Sequence, residues 1–191
     1  MNAVASAYQD AASASEREAL SCFHCGLPVP TQTRYQTIFE GRMRPMCCVG
    51  CEAVANTIIE AGLAAFYRER TSMPGSAANP VSLANDALFG LERVQSNYVA
   101  SEGDLRTAEL YVEGITCSAC VWLAESVLQR VVGICSATVN QVTHRATVSW
   151  DAGRTDLPAL LTALQRVGLS GQPATAAAAL AARRKQRRRY R

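Results

Sequence analysis

The chain of 191 residues is long enough for one large or two small domains, and its 49% hydrophobic content permits buried cores. Only 6% of the residues are aromatic, which predicts small aliphatic cores that a bound metal could help to stabilise. The net charge of +3 hides an asymmetry, because seven of the 19 basic residues lie in 183–191 and the rest of the chain is net acidic. A basic face for nucleic acid could therefore come only from that tail.

Residues 1–20 are rich in alanine and serine, lack periodic apolar spacing and are expected to be disordered. They have neither the basic start nor the apolar stretch of a signal peptide. No segment approaches the roughly 18 to 20 apolar residues that cross a bilayer. We therefore expect a soluble chain in a reducing compartment, where its eight cysteines are ligands or thiols rather than disulfides.

The first organised unit, residues 21–70, is a cysteine-rich module. Four thiolates in the spacing Cys-x2-Cys…Cys-x2-Cys are typical of a tetrahedral Zn(II) site. The cysteines that fit this spacing best are Cys22, Cys25, Cys48 and Cys51, with Cys47 as a possible substitute for Cys48. A copper-loading or regulatory site is an alternative that the residues leave open, and so is a cluster without metal.

Behind the cysteines, apolar residues recur at helical spacing and predict a helix with one buried face. They are Val54, Ala55, Ile58, Ile59, Leu63, Phe66 and Tyr67. The module is thus expected to be a small zinc-ribbon or treble-clef-like unit that needs metal to fold, because residues 31–45 offer few apolar side chains. Residues 71–104, rich in helix and strand breakers, are expected to form a linker, with a short helix near 85–98.

The second unit, residues 105–174, alternates strand and helix patterns in the order β, α, β, β, α, β. This order predicts an α+β fold, the ferredoxin-like βαββαβ sandwich. Ala108, Leu110 and Val112 alternate as the buried face of the first strand. Cys135 shares the parity of neighbouring apolar residues and is predicted to point into the core. The expected later elements are a helix over 118–132, a hairpin of 134–142 and 145–150, a helix over 156–167 and a strand over 169–174.

Between the first strand and first helix of this unit lies the segment Gly114-Ile115-Thr116-Cys117-Ser118-Ala119-Cys120. Two thiolates separated by two residues can converge on one soft ion. Without a third ligand nearby in sequence, two-coordinate Cu(I) suits the pair better than Zn(II), which prefers four donors. We expect an exposed site with few ligands, which binds tightly yet releases its ion by ligand exchange. A redox dithiol is the alternative.

At these residues the chain resembles the heavy-metal-associated domain of copper chaperones and copper-transporting ATPases, whose motif is Gly-Met-x-Cys-x-x-Cys. Ile115 replaces the methionine of that motif. Val121, Trp122 and Leu123 after the second cysteine look like the ATPase branch that supplies copper to cbb3-type cytochrome oxidase. In that branch a similar cysteine-rich segment precedes the domain. One departure is Leu169, where many family domains carry an aromatic residue near the metal.

The resemblance implies the cytoplasmic N-terminal region of a P1B-type copper ATPase, active in copper export and cytochrome oxidase assembly. Cys117 and Cys120 would accept Cu(I) from a cytoplasmic copper chaperone or thiol pool, and would pass it on or sense the copper load. The other partners implied are the pump's own membrane and catalytic domains.

The basic residues of 175–191 would form a juxtamembrane helix against the membrane surface, on the cytoplasmic face of a bacterial inner membrane. No enzymatic activity is expected in this chain, because the phosphorylated Asp-Lys-Thr-Gly-Thr segment and membrane Cys-Pro-Cys of such pumps are absent from it. A freestanding copper chaperone or storage protein is the alternative function. A zinc-ribbon protein that binds nucleic acid is disfavoured by the acidic balance of residues 1–182.

Overall fold

The structure is a computed structural model that describes residues 20–76 and 95–175. The predicted disordered N-terminus, apart from its last residue, lies outside the described residues. So do most of the predicted linker helix and, apart from its first residue, the predicted basic helix.

The cysteine module, residues 20–76, contains a hairpin that the sequence did not indicate. Strands β1 (Gln36–Phe39) and β2 (Arg42–Pro45) pair antiparallel. Their two-residue turn, Glu40 and Gly41, has positive φ at both positions, 51° and 73°, as a tight hairpin turn of the primed type requires.

Two helices follow the hairpin where one apolar stripe was predicted. They are α1 (Val49–Glu60) and α2 (Ala65–Glu69), and the chain turns between them at Gly62, whose φ is 69°. The predicted apolar face is buried on both helices, except that Ile59 is only half-buried.

Aromatic rings form the core of the cysteine module. Tyr67 lies at their centre, with ring centroids 4.7 Å from Phe23, 5.7 Å from Phe39 and 5.0 Å from Phe66. Such contacts add to the stability gained by burying apolar area. The module therefore has an apolar core of its own beside its cysteines, which the low aromatic content of the chain did not predict.

The second unit, residues 95–175, is the predicted ferredoxin-like sandwich. The elements are β3 (Val99–Glu102), β4 (Leu105–Glu113), α3 (Ser118–Gln129), β5 (Ile134–Asn140), β6 (Arg145–Asp151), α4 (Leu157–Arg166) and β7 (Ser170–Pro173). The sheet has the order β7-β4-β6-β5, and all neighbouring strands run antiparallel. Helices α3 and α4 pack against each other, α3 also against β5 and α4 also against β7. An additional strand, β3, lies within the segment predicted as linker and pairs with the first half of β4.

The prediction that Cys135 points into the core is wrong. Ile134 pairs with Trp150 and Ser136 pairs with the adjacent Ser149, so Cys135 is the extra residue of a β-bulge. A bulge reverses the alternation of side chains, and the thiol of Cys135 is exposed. Ala137, beyond the bulge, is buried as predicted.

The two units pack against each other. Helix α2 lies against α3, and Arg130 of the sandwich donates a hydrogen bond to the carbonyl oxygen of Ala61 in the cysteine module. Val54 of α1 lies beside Gly168, the residue at the turn that follows α4. This contact brings the cysteine module close to the end of the sandwich where β4 gives way to α3.

The exposure of Cys135 gives a direct prediction for stability. Cys135→Ser should change the free energy of unfolding by less than about 0.5 kcal/mol, because surface substitutions outside special sites are nearly neutral. Ala137→Ser on the same strand should cost about 1 to 3 kcal/mol, since it buries a hydroxyl group. Urea unfolding of the two variants measures both values, and a larger loss for Cys135→Ser would contradict the bulge.

Candidate metal centres

The Cys117–Cys120 pair lies at the junction of β4 and α3. Gly114 turns the chain with a φ of 93°, and a Cβ there would meet Leu169 at 3.0 Å. Ile115 is buried beneath the loop. Cys117 is the N-cap residue of α3, Cys120 lies in its first turn, and their sulfur atoms are 3.8 Å apart. One metal ion can therefore contact both sulfurs.

The local environment favours the thiolate form of Cys117. Burial alone would raise the pKa of this thiol, but hydrogen bonds from the backbone N–H groups of Thr71, Cys120 and Ala119 and from the Ser72 hydroxyl lower it to about 6. Helix N-termini and hydrogen-bond donors stabilise thiolates in this way. At neutral pH Cys117 is thus mostly a thiolate, the form that binds metal.

The prediction of an exposed pair is wrong. Cys117 is 4% exposed and Cys120 is 1% exposed. Part of the cover comes from outside the sandwich, because Thr71 and Ser72, which follow the last helix of the cysteine module, lie against Cys117. Residue spacing could not indicate this cover, since the cover depends on how the two units pack.

A second group of sulfurs lies in the cysteine module. The sulfur atoms of Cys22, Cys25, Cys47 and Cys51 all lie within 4.8 Å of one another. The pairs Cys25–Cys47, Cys47–Cys51 and Cys51–Cys25 are separated by 3.6, 3.6 and 3.7 Å. A tetrahedral zinc ion with Zn–S bonds of about 2.3 Å places its sulfur ligands about 3.8 Å apart. The spacing of this cluster, which we call the cysteine cluster, fits such an ion.

The cysteine cluster differs from the predicted set at one position. Cys48 was the preferred ligand and Cys47 its possible substitute, yet the structure places Cys47 in the cluster. Cys48 is instead the N-cap of α1, and its sulfur accepts a hydrogen bond from the backbone N–H of Cys51 at 3.4 Å. Its side chain is thus used to begin the helix.

The thiols around the cysteine cluster have divergent acidities. Burial and hydrogen bonding by Cys25 raise the pKa of Cys47 to about 12. Burial also opposes ionisation of Cys22, but backbone N–H donors at Cys25, Cys47 and His24 lower its pKa to about 7. Closely spaced thiols cannot all ionise without a cation. A metal ion bound here would displace the proton of Cys47.

Two further residues lie beside the cysteine cluster, and the sequence alone assigned neither of them to a site. Met46 is fully buried with its sulfur 3.8 Å from that of Cys22. His24 is 1% exposed, its Nδ1 lies 3.0 Å from the Tyr67 hydroxyl, and its Nε2 has no partner among the described residues. Burial and the nearby charge of Arg70 lower the pKa of His24 to about 4, so this imidazole is neutral. In the sequence, the only sign that Met46 and His24 lie near the cluster was that they directly precede Cys47 and Cys25.

Arg70 lies near both groups of sulfurs. Its guanidinium donates hydrogen bonds to the carbonyl oxygens of His24, at 2.7 Å, and Phe23, and lies 4.8 Å from the ring centroid of Tyr67. Burial lowers the pKa of Arg70, while the negative charges that Cys22, Cys117 and Cys120 can carry act against that shift. One half-buried cation thus lies near the sulfurs of both sites.

Comparison with protein families gives two matches. Residues 21–103 match the family described as "Putative metal-binding domain of cation transport ATPase". Residues 109–169 match the "Heavy-metal-associated domain". The cysteine cluster lies in the first matched range and the Cys117–Cys120 pair in the second.

Individual relatives are far longer than this chain. The "Copper-exporting P-type ATPase" of Staphylococcus saprophyticus is 45% identical over 67 residues, which cover 35% of this chain and 8% of the relative. The "Copper-transporting ATPase 2" of Rhizobium meliloti strain 1021 is 32% identical over 152 residues, which cover 74% of this chain and 16% of the relative. The crystal structure of oxidized MerP from Ralstonia metallidurans CH34 is 29% identical in sequence, and the match covers 36% of this chain and 96% of the MerP chain with a TM-score of 0.35.

Among the described residues, no helix is long and apolar enough to span a membrane.

The choice between Cys47 and Cys48 predicts opposite effects of two neighbouring substitutions. Cys47→Ser should weaken zinc binding at least about tenfold, because it removes one of four sulfur ligands. Cys48→Ser should leave zinc binding unchanged and keep the helix cap, since serine is a favoured N-cap residue. Zinc titration against a colorimetric chelator measures both, and a weaker site in Cys48→Ser alone would contradict the arrangement of the cysteine cluster.

The lowered pKa of Cys117 predicts a pH dependence of stability in the metal-free chain. A thiol whose pKa falls from 9.0 to about 6 on folding stabilises the fold fully above pH 9, and this contribution disappears as the pH falls to about 6. The difference in melting temperature between the native chain and Cys117→Ser should therefore grow from pH 6 to pH 9. A constant or shrinking difference in thermal unfolding would contradict the assigned ionisation.

Proposed function

Because the chain joins a metal-binding domain of cation transport ATPases to a heavy-metal-associated domain, we propose that it is the Cu(I)-binding region of a copper-transporting P-type ATPase. The observation that carries this proposal is the Cys117–Cys120 pair, two sulfurs 3.8 Å apart at the start of α3 with Cys117 poised as a thiolate. The chain spans 8% and 16% of the two ATPases described above. Transport by the whole protein is therefore part of the proposal.

Cu(I) would be exchanged at the pair by successive replacement of sulfur ligands. The Cys117 thiolate can bind an incoming ion without first losing a proton. Cys120 lies three residues further along, in the first turn of the same helix and with its sulfur 3.5 Å from the Thr116 hydroxyl, and it completes the site. A site with only two sulfurs leaves room in the metal shell for a third ligand from a donor or acceptor, which is what ligand exchange requires.

The cysteine cluster would hold Zn(II) as a structural ion. Four sulfurs close a tetrahedral shell and leave no open position for exchange. The aromatic core around Tyr67 gives the module a second source of stability, so metal loss would loosen it without removing every tertiary contact. Cu(I) at this cluster is the alternative, since the Met46 thioether lies 3.8 Å from the Cys22 sulfur.

The partners follow from this assignment. A cytoplasmic copper chaperone or the thiol pool would supply Cu(I), and the membrane and catalytic domains of the pump would receive it or respond to its binding. The region would lie on the cytoplasmic face of the membrane, with its basic end at the membrane surface. Delivery of copper to a cytochrome oxidase is the most specific part of the proposal, and it rests on the sequence resemblance after Cys120.

An anaerobic Cu(I) titration of the zinc-loaded chain against a strong chelator tests the proposed function. The native chain should retain one tightly bound Cu(I), and a Cys117→Ser, Cys120→Ser variant should retain none at the same chelator concentration. Cys135→Ser is the matched control and should behave as the native chain, because this thiol is remote from the pair. Equal retention by the native chain and the double variant would refute the assignment.

A further inference from the structure

We propose that the segment Arg70–Ser76 is a strap that closes the Cys117–Cys120 pair against protein partners, and that metal in the cysteine cluster holds this strap in place. The inference rests on the proposed function, because it concerns access of a copper donor to the pair. It makes access to the Cys117–Cys120 pair depend on metal in the cysteine cluster.

The start of the strap covers the pair. The backbone N–H of Thr71 and the side chain of Ser72 lie against Cys117. Both sulfur-bearing residues are at most 4% exposed. A thiolate of another protein must approach a bound or incoming Cu(I) to within bonding distance, and these residues occupy part of that approach. The strap must move before ligand exchange with a protein can occur.

The far end of the strap touches the cysteine cluster. Met73 lies over Gly26, where an added Cβ would meet the Met73 side chain at 3.0 Å, and Gly26 directly follows the ligand Cys25. The hydroxyl of Ser76 lies 4.0 Å from the sulfur of Cys51. From Ser72 to Ser76 an extended chain covers at most about 14 Å. One short segment therefore contacts both metal sites.

Arg70 anchors the strap to the loop that carries the first two cysteines. Its hydrogen bonds to the carbonyl oxygens of Phe23 and His24 end on residues that lie between Cys22 and Cys25. Bidentate contacts of a guanidinium fix direction as well as distance. A metal ion that holds Cys22 and Cys25 together thus also holds the acceptors of Arg70, and loss of that ion frees them.

The test is the rate at which each thiol reacts with N-ethylmaleimide in the zinc-loaded, copper-free chain, followed residue by residue by mass spectrometry. Cys135 is exposed in the same chain and serves as the internal reference. The comparison is made at pH 9, where an ordinary thiol is also substantially ionised, so that the rates report access and not the fraction of thiolate. In the native chain Cys117 and Cys120 should then react at least about tenfold more slowly than Cys135, because reaction requires local opening. Equal rates at the three thiols would overturn the strap.

Two matched pairs of variants test what holds the strap. Arg70→Gln should speed the reaction of Cys117 by about tenfold or more, whereas Arg68→Gln, an exposed residue paired with Glu40, should leave it unchanged. Cys25→Ser removes a ligand of the cluster and should speed the reaction as well, whereas Cys48→Ser should not. Unchanged protection in both Arg70→Gln and Cys25→Ser would refute the anchoring.

Hydrogen exchange of the native zinc-loaded chain provides a measurement that needs no substitution. The amide of Thr71 should exchange more slowly than in an unstructured peptide of the same sequence, because it donates to Cys117, and it should exchange faster once a chelator removes zinc. Free exchange in the zinc-loaded chain contradicts the strap. The Cu(I) titration separates the two proposals: a pair that binds Cu(I) but is not protected refutes only the strap, whereas a protected pair that binds none refutes the proposed function.

Discussion

Thiolates a few ångströms apart repel one another, and a bound cation or a retained proton must relieve that repulsion. The fold of this chain repeatedly produces such a situation. The loop that carries Cys22 and Cys25 and the start of α1 bring four sulfurs within 4.8 Å of one another in the cysteine module. A strand-to-helix junction brings two more within 3.8 Å in the sandwich. Both groups are largely buried, so water cannot screen the repulsion between their thiolates.

The two sites relieve this repulsion in different ways, and the difference suits them to different roles. In the cysteine cluster a pKa of about 12 keeps Cys47 protonated until a metal replaces the proton. Four ligands then close the metal shell, which suits an ion that stays. At the pair, backbone N–H donors hold Cys117 as a thiolate in advance, and only two sulfurs are present. That arrangement suits an ion that arrives and leaves.

The sandwich was predictable because its signals are local. Alternation in β4, the helical stripe of α4 and a cysteine pair at the β4–α3 junction follow from residue spacing alone. What spacing could not provide was anything set by three-dimensional packing. Cys47 and Cys48 are adjacent, and only the capping geometry of α1 assigns one to the cluster and the other to the helix start. The bulge at Cys135 likewise turns this side chain to the opposite face of β5, and the sequence of a bulged strand looks the same as that of a regular one.

Burial of the pair was the largest departure from expectation, and it changes how the site is understood. The Cys117–Cys120 pair was expected to be exposed to solvent, but Thr71 and Ser72 of the cysteine module lie against Cys117. Burial does not exclude exchange, because the cover is a short segment outside the sandwich and not the core itself. It makes access to the pair a property of both units together.

The central claim is that a Cu(I) ion binds between Cys117 and Cys120. X-ray absorption at the copper edge, on the zinc-loaded chain with one equivalent of Cu(I), tests it most directly because it counts and identifies the ligands of the metal. The account predicts a first shell of two sulfur atoms that is lost when both cysteines are replaced by serine. A shell of nitrogen or oxygen atoms, or of four sulfurs that persists in that variant, would contradict it.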